Sequence, residues 1–353
     1  MKRLILQADW TLFVNKPAVK YDNREGFVLP YVLLVIAMLA IASALTAQYF
    51  IKTSALMREI DTQVKAQIAF ANAESQAIYS ILSSNPVDGG FDLSGEEQLI
   101  PDDFLTEVTD ISQNDIWLLQ SELRLAPTEQ GLVYVSLQDL SGLISLNVAP
   151  SDYITKLLVH LGVAEQKALS LSAALMDYRD ADNRRQFRGA ERADYRLKGM
   201  PPPTNSPLRH YAELYDVLGW EEAMAEIDVS RLKTLSSLNQ SYARVNRNFM
   251  PPELLSVFPE DADAESEDFD IFAAVSANQI RPTNFLRVTL TYPSAEGVVW
   301  QRVIDVERRA GSPNKPFERR WLFDKVLTEQ EAERYLVPSE NLKNVVYATA
   351  NNL

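Results

Sequence analysis

Cysteine is absent from the 353 residues, which excludes disulfides, thiolate metal sites and cysteine nucleophiles and leaves the fold to be held by its core. Histidine occurs only at positions 160 and 210; so far apart in sequence, the two give no metal-ligand spacing, and His160 sits among Leu157, Leu158 and Leu161 as a helix-face residue. No Gly-x-Ser-x-Gly elbow, phosphate-binding loop, dinucleotide fingerprint or His-Glu-x-x-His helix is present, so an enzymatic role has no chemical basis. Positive charge is also scarce. Lys and Arg number 34 against 48 Asp and Glu, a formal net charge of −14, and nucleic acid is disfavoured as a partner because phosphate binding needs a basic footprint.

What the chain does have is apolar content, 46% of its residues, enough for about two compact domains once an N-terminal segment is set aside. From Phe27 to Ala47 there are 21 residues without a charge, which as helix span about 31 Å and match the ~30 Å hydrocarbon core of a bilayer. Lys2, Arg3, Lys16, Lys20 and Arg24 precede the span, against Asp9, Asp22 and Glu25, and the positive-inside bias keeps that end cytoplasmic. A cleavable secretory signal competes with this reading, since Ala42-Ser43-Ala44 resembles a small-residue cleavage site. Against it, Pro30 opens the apolar run and helical sequence continues past the cut.

That continuation places Met57, Ile60, Val64, Ile68, Ala71, Ser75, Ile78 and Leu82 at spacings of three and four, an apolar stripe expected to lie on a globular domain. No proline or glycine interrupts from Tyr31 to Asn85, and Asn85-Pro86 with Gly89-Gly90 supplies the stop. Anchor and stem are therefore expected to form one helix over 27–84, roughly 85 Å long. Beyond it, Ile116–Leu125 and Leu132–Gln138 read as a strand pair, Phe285–Tyr292 and Val299–Val306 as a hairpin, and Arg319–Phe323 as a last strand before a short helix from Thr328. Between them Tyr153–Leu161, Gln166–Tyr178, Tyr211–Leu218 and Ser230–Leu238 read as short helices, with a polar loop over Ala181–Pro207 and an acidic run over Glu260–Asp270.

Three marks make the sequence resemble the minor pseudopilin K family of bacterial type II secretion systems, also called general secretion pathway protein K. Gly26-Phe27 heads the apolar helix; the resemblance implies cleavage and N-methylation there by a prepilin peptidase, and a residue without a side chain lets a protease approach the backbone. The fifth residue after that cut is Tyr31, where most pilin-like subunits carry a glutamate and the K subunit typically does not. The third mark is a spaced series: Asp177-Tyr178-Arg179-Asp180-Ala181-Asp182, Gly189-Ala190-Glu191, Tyr195, Pro201 to Pro203, Asn205, Pro207 and Glu213-Leu214. Asp139-Leu140-Ser141-Gly142 with Asn147, and Val245-Asn246-Arg247-Asn248, flank it. The 26-residue leader and Tyr178, where tryptophan is common, depart from the family pattern.

The resemblance implies an α+β fold, a long N-terminal transmembrane-plus-stem helix packed on a pilin-like antiparallel sheet with an inserted all-helical domain. The segments are a leader over 1–26, the helix over 27–84, a first part of the pseudopilin domain over 85–140, the insertion over 141–280 and the sheet completion with its tail over 281–353. It also implies structural calcium. Asp177, Asp180, Asp182, Gly189 and Glu191 are the motif residues of the insertion, and Asp180, Asp182 and Glu191 occupy positions 1, 3 and 12 of an EF-hand-like loop. Arg184 and Arg185 fill positions 5 and 6, where a ligand and glycine belong, so carboxylates that simply accept backbone N–H bonds or pair with arginine are the plainer reading. Asp261, Asp263, Glu265, Asp268 and Asp270 carry more negative charge with no local cation and are the other candidate calcium ligands, against a solvated charge run.

The expected function is that of a non-enzymatic subunit at the tip of a periplasmic pseudopilus, anchored once in the Gram-negative inner membrane and nucleating assembly with I-like and J-like minor pseudopilins. Secreted substrate and the outer-membrane channel are further expected contacts. A minor pilin of a type IV pilus, and a signal-anchored periplasmic binding module, stay open as alternatives.

Overall fold

Val28–Ser83 form one helix of 56 residues, α1, in a computed structural model that describes residues 28–94, 116–258, 280–309, 315–338, 340 and 342–345. Two compact units divide between Asp61 and Thr62. In the first, the side chains of α1 are exposed almost throughout, including Leu33, Ile36, Met38 and Leu39, and the helix is long and apolar enough to cross a membrane.

The second unit is built on a five-stranded antiparallel sheet in the order β10-β9-β8-β5-β4. Its strands are β4 (Gln120–Thr128), β5 (Gly131–Asp139), β8 (Phe285–Pro293), β9 (Val299–Arg308) and β10 (Phe317–Val326). Val133, Val135 and Leu137 of β5, Leu286, Val288 and Leu290 of β8, and Ile304 and Val306 of β9 point to one face, as period-two alternation dictates. That face is covered by Ala66, Ala69, Phe70, Ala73, Ala77 and Ile81 of α1. Small alanines let helix and sheet approach closely, and Phe70 fills the remaining space, a burial worth about 1.5–3 kcal/mol. Polar bonds fix the helix at its flanks: Arg319 Nε donates to Glu74 at 2.6 Å, and Gln67 Nε2 to Asp324 at 2.9 Å.

The buried stripe is not the one periodicity suggested. Of that set only Ile78 is buried, while Met57, Ile60, Val64, Ile68 and Leu82 are exposed. Periodicity found the bulkier face; the sheet took the alanine face, for which spacing is the limiting condition. Other boundaries moved for local reasons. Asn85-Pro86 and Gly89-Gly90 end α1 but also build a hairpin, β1 (Asn85–Val87) and β2 (Gly90–Asp92). Ile116–Leu125 splits into β3 (Ile116–Leu118), which pairs with β2, and β4. The break lies at Leu119; just beyond it, inside β4, Ser121 at φ 65° forms a bulge that shifts the register between Gln120 and Glu122.

Between β5 and β8 the chain forms the helical region. It runs through β6 (Ile144–Ser145), α2 (Ser151–His160), α3 (Glu165–Arg179), α4 (Arg192–Leu197), a 3-10 turn at Tyr211–Asp216, α5 (Trp220–Glu226), α6 (Val229–Leu235), β7 (Ser236–Ser237) and α7 (Pro252–Leu255). α4 lies inside the expected polar loop, and the expected helix after Tyr211 is shortened to a 3-10 turn, with Gly219 in the left-handed region at φ 83° starting α5. The region has its own core around Ile154, Leu157, Leu171, Leu175, Tyr195 and Trp220. α8 (Glu329–Ala332) follows β10 and is capped by Thr328.

Buried charge joins this region to the sheet. Asp139 is fully buried at the end of β5, where it accepts from Ser141 N at 2.9 Å, from Thr283 N at 2.6 Å and from Thr283 Oγ1 at 2.8 Å, so one carboxylate holds both crossings of the chain. Arg287 on β8 pairs in fork geometry with Asp305 on β9, at 2.7 and 2.9 Å, and its Nη1 donates to the Lys233 and Ser236 carbonyls at 2.6 and 3.0 Å. Removing one side of a buried pair strands the other charge. Arg287→Met is therefore expected to cost about 3–5 kcal/mol in urea unfolding, and Arg287→Met with Asp305→Leu clearly less than the sum of the single changes; equal and additive losses would contradict the bridge.

Candidate metal centre

The helix α3 ends in Asp177-Tyr178-Arg179-Asp180, and the ending is fixed by burial of charged groups. Arg179 donates to the Leu146 carbonyl and, at 2.5 Å, to that of Ala149, which ties the end of α3 to the chain entering α2. Burial lowers its pKa to about 10. Asp180 is the C-terminal cap, in extended backbone. The loop then turns back: Asn205 N donates to the Tyr178 carbonyl at 3.0 Å, and Asn205 Nδ2 to the Asp182 carbonyl. Asp182 accepts from Arg184 N at 2.7 Å, an Asx turn.

On the returning side Gly189 lies against Asp177. A Cβ on Gly189 would stand 2.0 Å from Asp177 Oδ2, so glycine is required there by space. Asp177 is fully buried and accepts from Gln186 N at 3.1 Å. Two residues on, Glu191 caps α4 in a capping box with Asp194, whose Oδ2 accepts from Glu191 N at 3.0 Å. The position thereby fixes the Glu191 carboxylate against the end of α3.

These constraints bring one oxygen each of Asp180, Asp182 and Glu191 within 4.8 Å of one another. Asp180 Oδ1 and Glu191 Oε1 are buried with no hydrogen-bond partner. Such orphaned acceptors are costly in a protein interior. Burial, and then mutual repulsion among the carboxylates, raises the pKa of Asp180 and of Glu191. Asp177 is pushed up to about 6, mainly by burial, with the Glu191 and Asp180 charges adding. Three oxygen donors with no nitrogen or sulfur among them suit a hard divalent cation, which would answer both orphaned oxygens and offset the repulsion. The residues present therefore fit a metal.

The structure thus assembles Asp180, Asp182 and Glu191 despite Arg184 and Arg185. Arg184 is exposed, and Arg185 pairs with Asp194 at 3.2 Å; neither position supplies a ligand or the glycine turn of an EF-hand. Asp177 and Gly189 support the cluster from behind. Gly26 and Phe27, and Asp261, Asp263, Glu265, Asp268 and Asp270, lie outside the described residues. Asn147, named in the flanking motif without a role, donates from Nδ2 to the Leu208 and Leu238 carbonyls, each at 2.9 Å, while its Oδ1 accepts from Leu208 N at 2.7 Å. Its presence in a motif was visible; its partners, far along the chain, were not.

Three likenesses to known proteins are found. A family model described as type II secretion system (T2SS), protein K, matches residues 135–227, a stretch that holds the end of β5, the cluster and α5. A type II secretion system protein K from Klebsiella pneumoniae is 26% identical over 261 residues, covering 68% of this chain and 72% of that protein. A chain in the crystal structure of the GspK-GspI-GspJ complex from the enterotoxigenic Escherichia coli type 2 secretion system is 17% identical, with a TM-score of 0.47, covering 77% of this chain and all of that one.

A raised carboxyl pKa has a defined consequence for stability. The folded state holds a proton on Asp177 between the ordinary 3.8 and about 6, so this contribution is present at low pH and is lost as pH rises through that window. In chelator the melting midpoint is expected to fall between about pH 4 and pH 6.5, and Asp177→Asn to flatten the change; an unaltered profile in that variant would contradict the assignment.

Proposed function

We propose a structural role from one premise: this chain belongs to the type II secretion system protein K family. In this reading it is a minor pseudopilin that caps a short periplasmic pseudopilus and starts its assembly. The match of the family model across 135–227 carries the reading, because that stretch includes the first part of the helical region, through α5, which distinguishes this chain from a plain helix-on-sheet pilin subunit. Its role lies in assembly and not in bond chemistry.

Two features of α1 support it. The apolar stretch is of a length that holds a precursor in a bilayer. In the second unit, the alanine face of the helix is taken by the sheet while Val64, Ile68 and Leu82 remain exposed, a stripe suited to packing on neighbouring helices. The solved relative is named for a complex with GspI and GspJ; subunits of those kinds are the proposed neighbours here. Processing after Gly26 by a prepilin peptidase would precede assembly, and the helical region, expected over 141–280, would obstruct a subunit stacked above it. The soluble part would face the periplasm from an inner-membrane anchor.

Calcium is the proposed ion for Asp180, Asp182 and Glu191, because it accepts irregular sets of oxygen ligands that a more exacting octahedral ion does not. It would hold the end of α3 to the cap of α4 and so set the shape of the head.

Co-expression with a prepilin peptidase is expected to shorten the chain by its 26-residue leader, seen as a mobility change on a blot, and Gly26→Ala to abolish the change. Unchanged mobility of the wild type would favour a signal-anchored module instead. For the ion, calcium at about a hundred times its dissociation constant should stabilise the chelator-treated protein by about 2.7 kcal/mol. Asp180→Asn should remove that response, and a melting midpoint indifferent to calcium in the wild type would exclude the ion.

A further inference from the structure

The face of the five-stranded sheet turned away from α1 is polar, and it contains a cavity of about 150 Å³. It is lined by Ser136, Thr289 and Gln301 of the sheet, Lys233 of α6, and Arg334 and Tyr335 beyond α8. Three cations line the cavity and no carboxylate does. Of these only Arg287 has a carboxylate partner, Asp305.

Among the described residues the other two cations have no carboxylate partner. Lys233 Nζ stands 5.2 Å from the centroid of the Phe323 ring and makes no hydrogen bond or ion pair among the described residues. Nearby, Lys325 is bound to Ser230 Oγ and, at 3.0 Å, to Glu331, so the adjacent carboxylate is already committed. Burial and the Lys325 charge together lower the Lys233 pKa, the direction expected of an ammonium held without compensation. Arg334, an exposed residue, likewise has no partner among the described residues, and neither do the hydroxyls of Ser136, Thr289 and Tyr335, although Ser136 is only 5% exposed. Two unanswered cations and three free hydroxyl donors therefore converge on one small cavity.

We propose that this cavity binds a small oxyanion, the carboxylate or phosphate group of a small molecule, with Lys233 and Arg334 supplying charge and Ser136 and Thr289 supplying hydrogen bonds. The arrangement is that of a charge-assisted anion site: donors are fixed by the sheet and by α6, and desolvation strengthens each bond to an ionised acceptor. It is separate from the carboxylate cluster, which attracts the opposite sign, and does not depend on the assembly role.

The test uses the full chain in a non-ionic detergent, titrated with sodium phosphate and with sodium succinate against sodium chloride at matched ionic strength, and read by calorimetry and by melting midpoint. Saturable binding of either probe is expected, and which one binds more tightly identifies the group. Lys233→Met should weaken it about tenfold or more and Arg334→Met less, while Lys233→Arg should retain it. Lys198→Met, at an exposed cation elsewhere, should change nothing. Because Lys233 is half-buried beside a like charge, Lys233→Met should melt no lower than the wild type without anion, which separates lost binding from lost folding. No saturable binding of either probe, or equal binding by wild type and Lys233→Met, would overturn the proposal.

Discussion

A five-stranded antiparallel sheet with one apolar face must cover it, and in this protein the cover is the alanine face of α1. The close approach that alanine permits decides much of the rest. It consumes the small residues of the helix and leaves Val64, Ile68 and Leu82 exposed, although those are the side chains a transfer scale would bury first. A helix that shows large apolar groups outside its own sheet contact is suited to packing on other helices.

The opposite face of the sheet follows a different rule. It is polar, and it receives the helical region through buried charge: Asp139 gathers the two crossings of the chain, and Arg287 with Asp305 reaches the backbone of α6 and β7. Such groups cost desolvation and are tolerated only when their partners are complete. They give direction to a join that apolar packing alone would leave free to slide. The same polar face holds the cavity beside Lys233, where the partners are not complete.

Much of this fold was legible along the chain. The uninterrupted stretch from Tyr31 to Asn85, the alternation at Phe285–Tyr292 and Val299–Val306, and the cap at Thr328 are local signals, and each element formed where its signal lay. Errors arose where a signal was short or three-dimensional. The expected strand was interrupted at Leu119, next to the bulge at Ser121, and α4 was hidden in a polar segment because six residues are too few to show a period. At the candidate site the spacing of Asp180, Asp182 and Glu191 was readable, but Arg184 and Arg185 argued against a metal loop. That objection assumed an EF-hand backbone. The chain instead closes the loop by another route, through Arg179, Asn205 and the contact of Gly189 with Asp177.

By itself the sequence determined the long helix, the hairpin strands, the excess of negative charge and the motif series that marks the family, because each is a property of neighbouring residues. Tertiary structure decided which face of α1 would be covered, which carboxylates would be left with orphaned oxygens, and which cations would meet at a cavity without a counter-charge. Those outcomes depend on distances between segments far apart in the chain, and periodicity carries no information about distances of that kind.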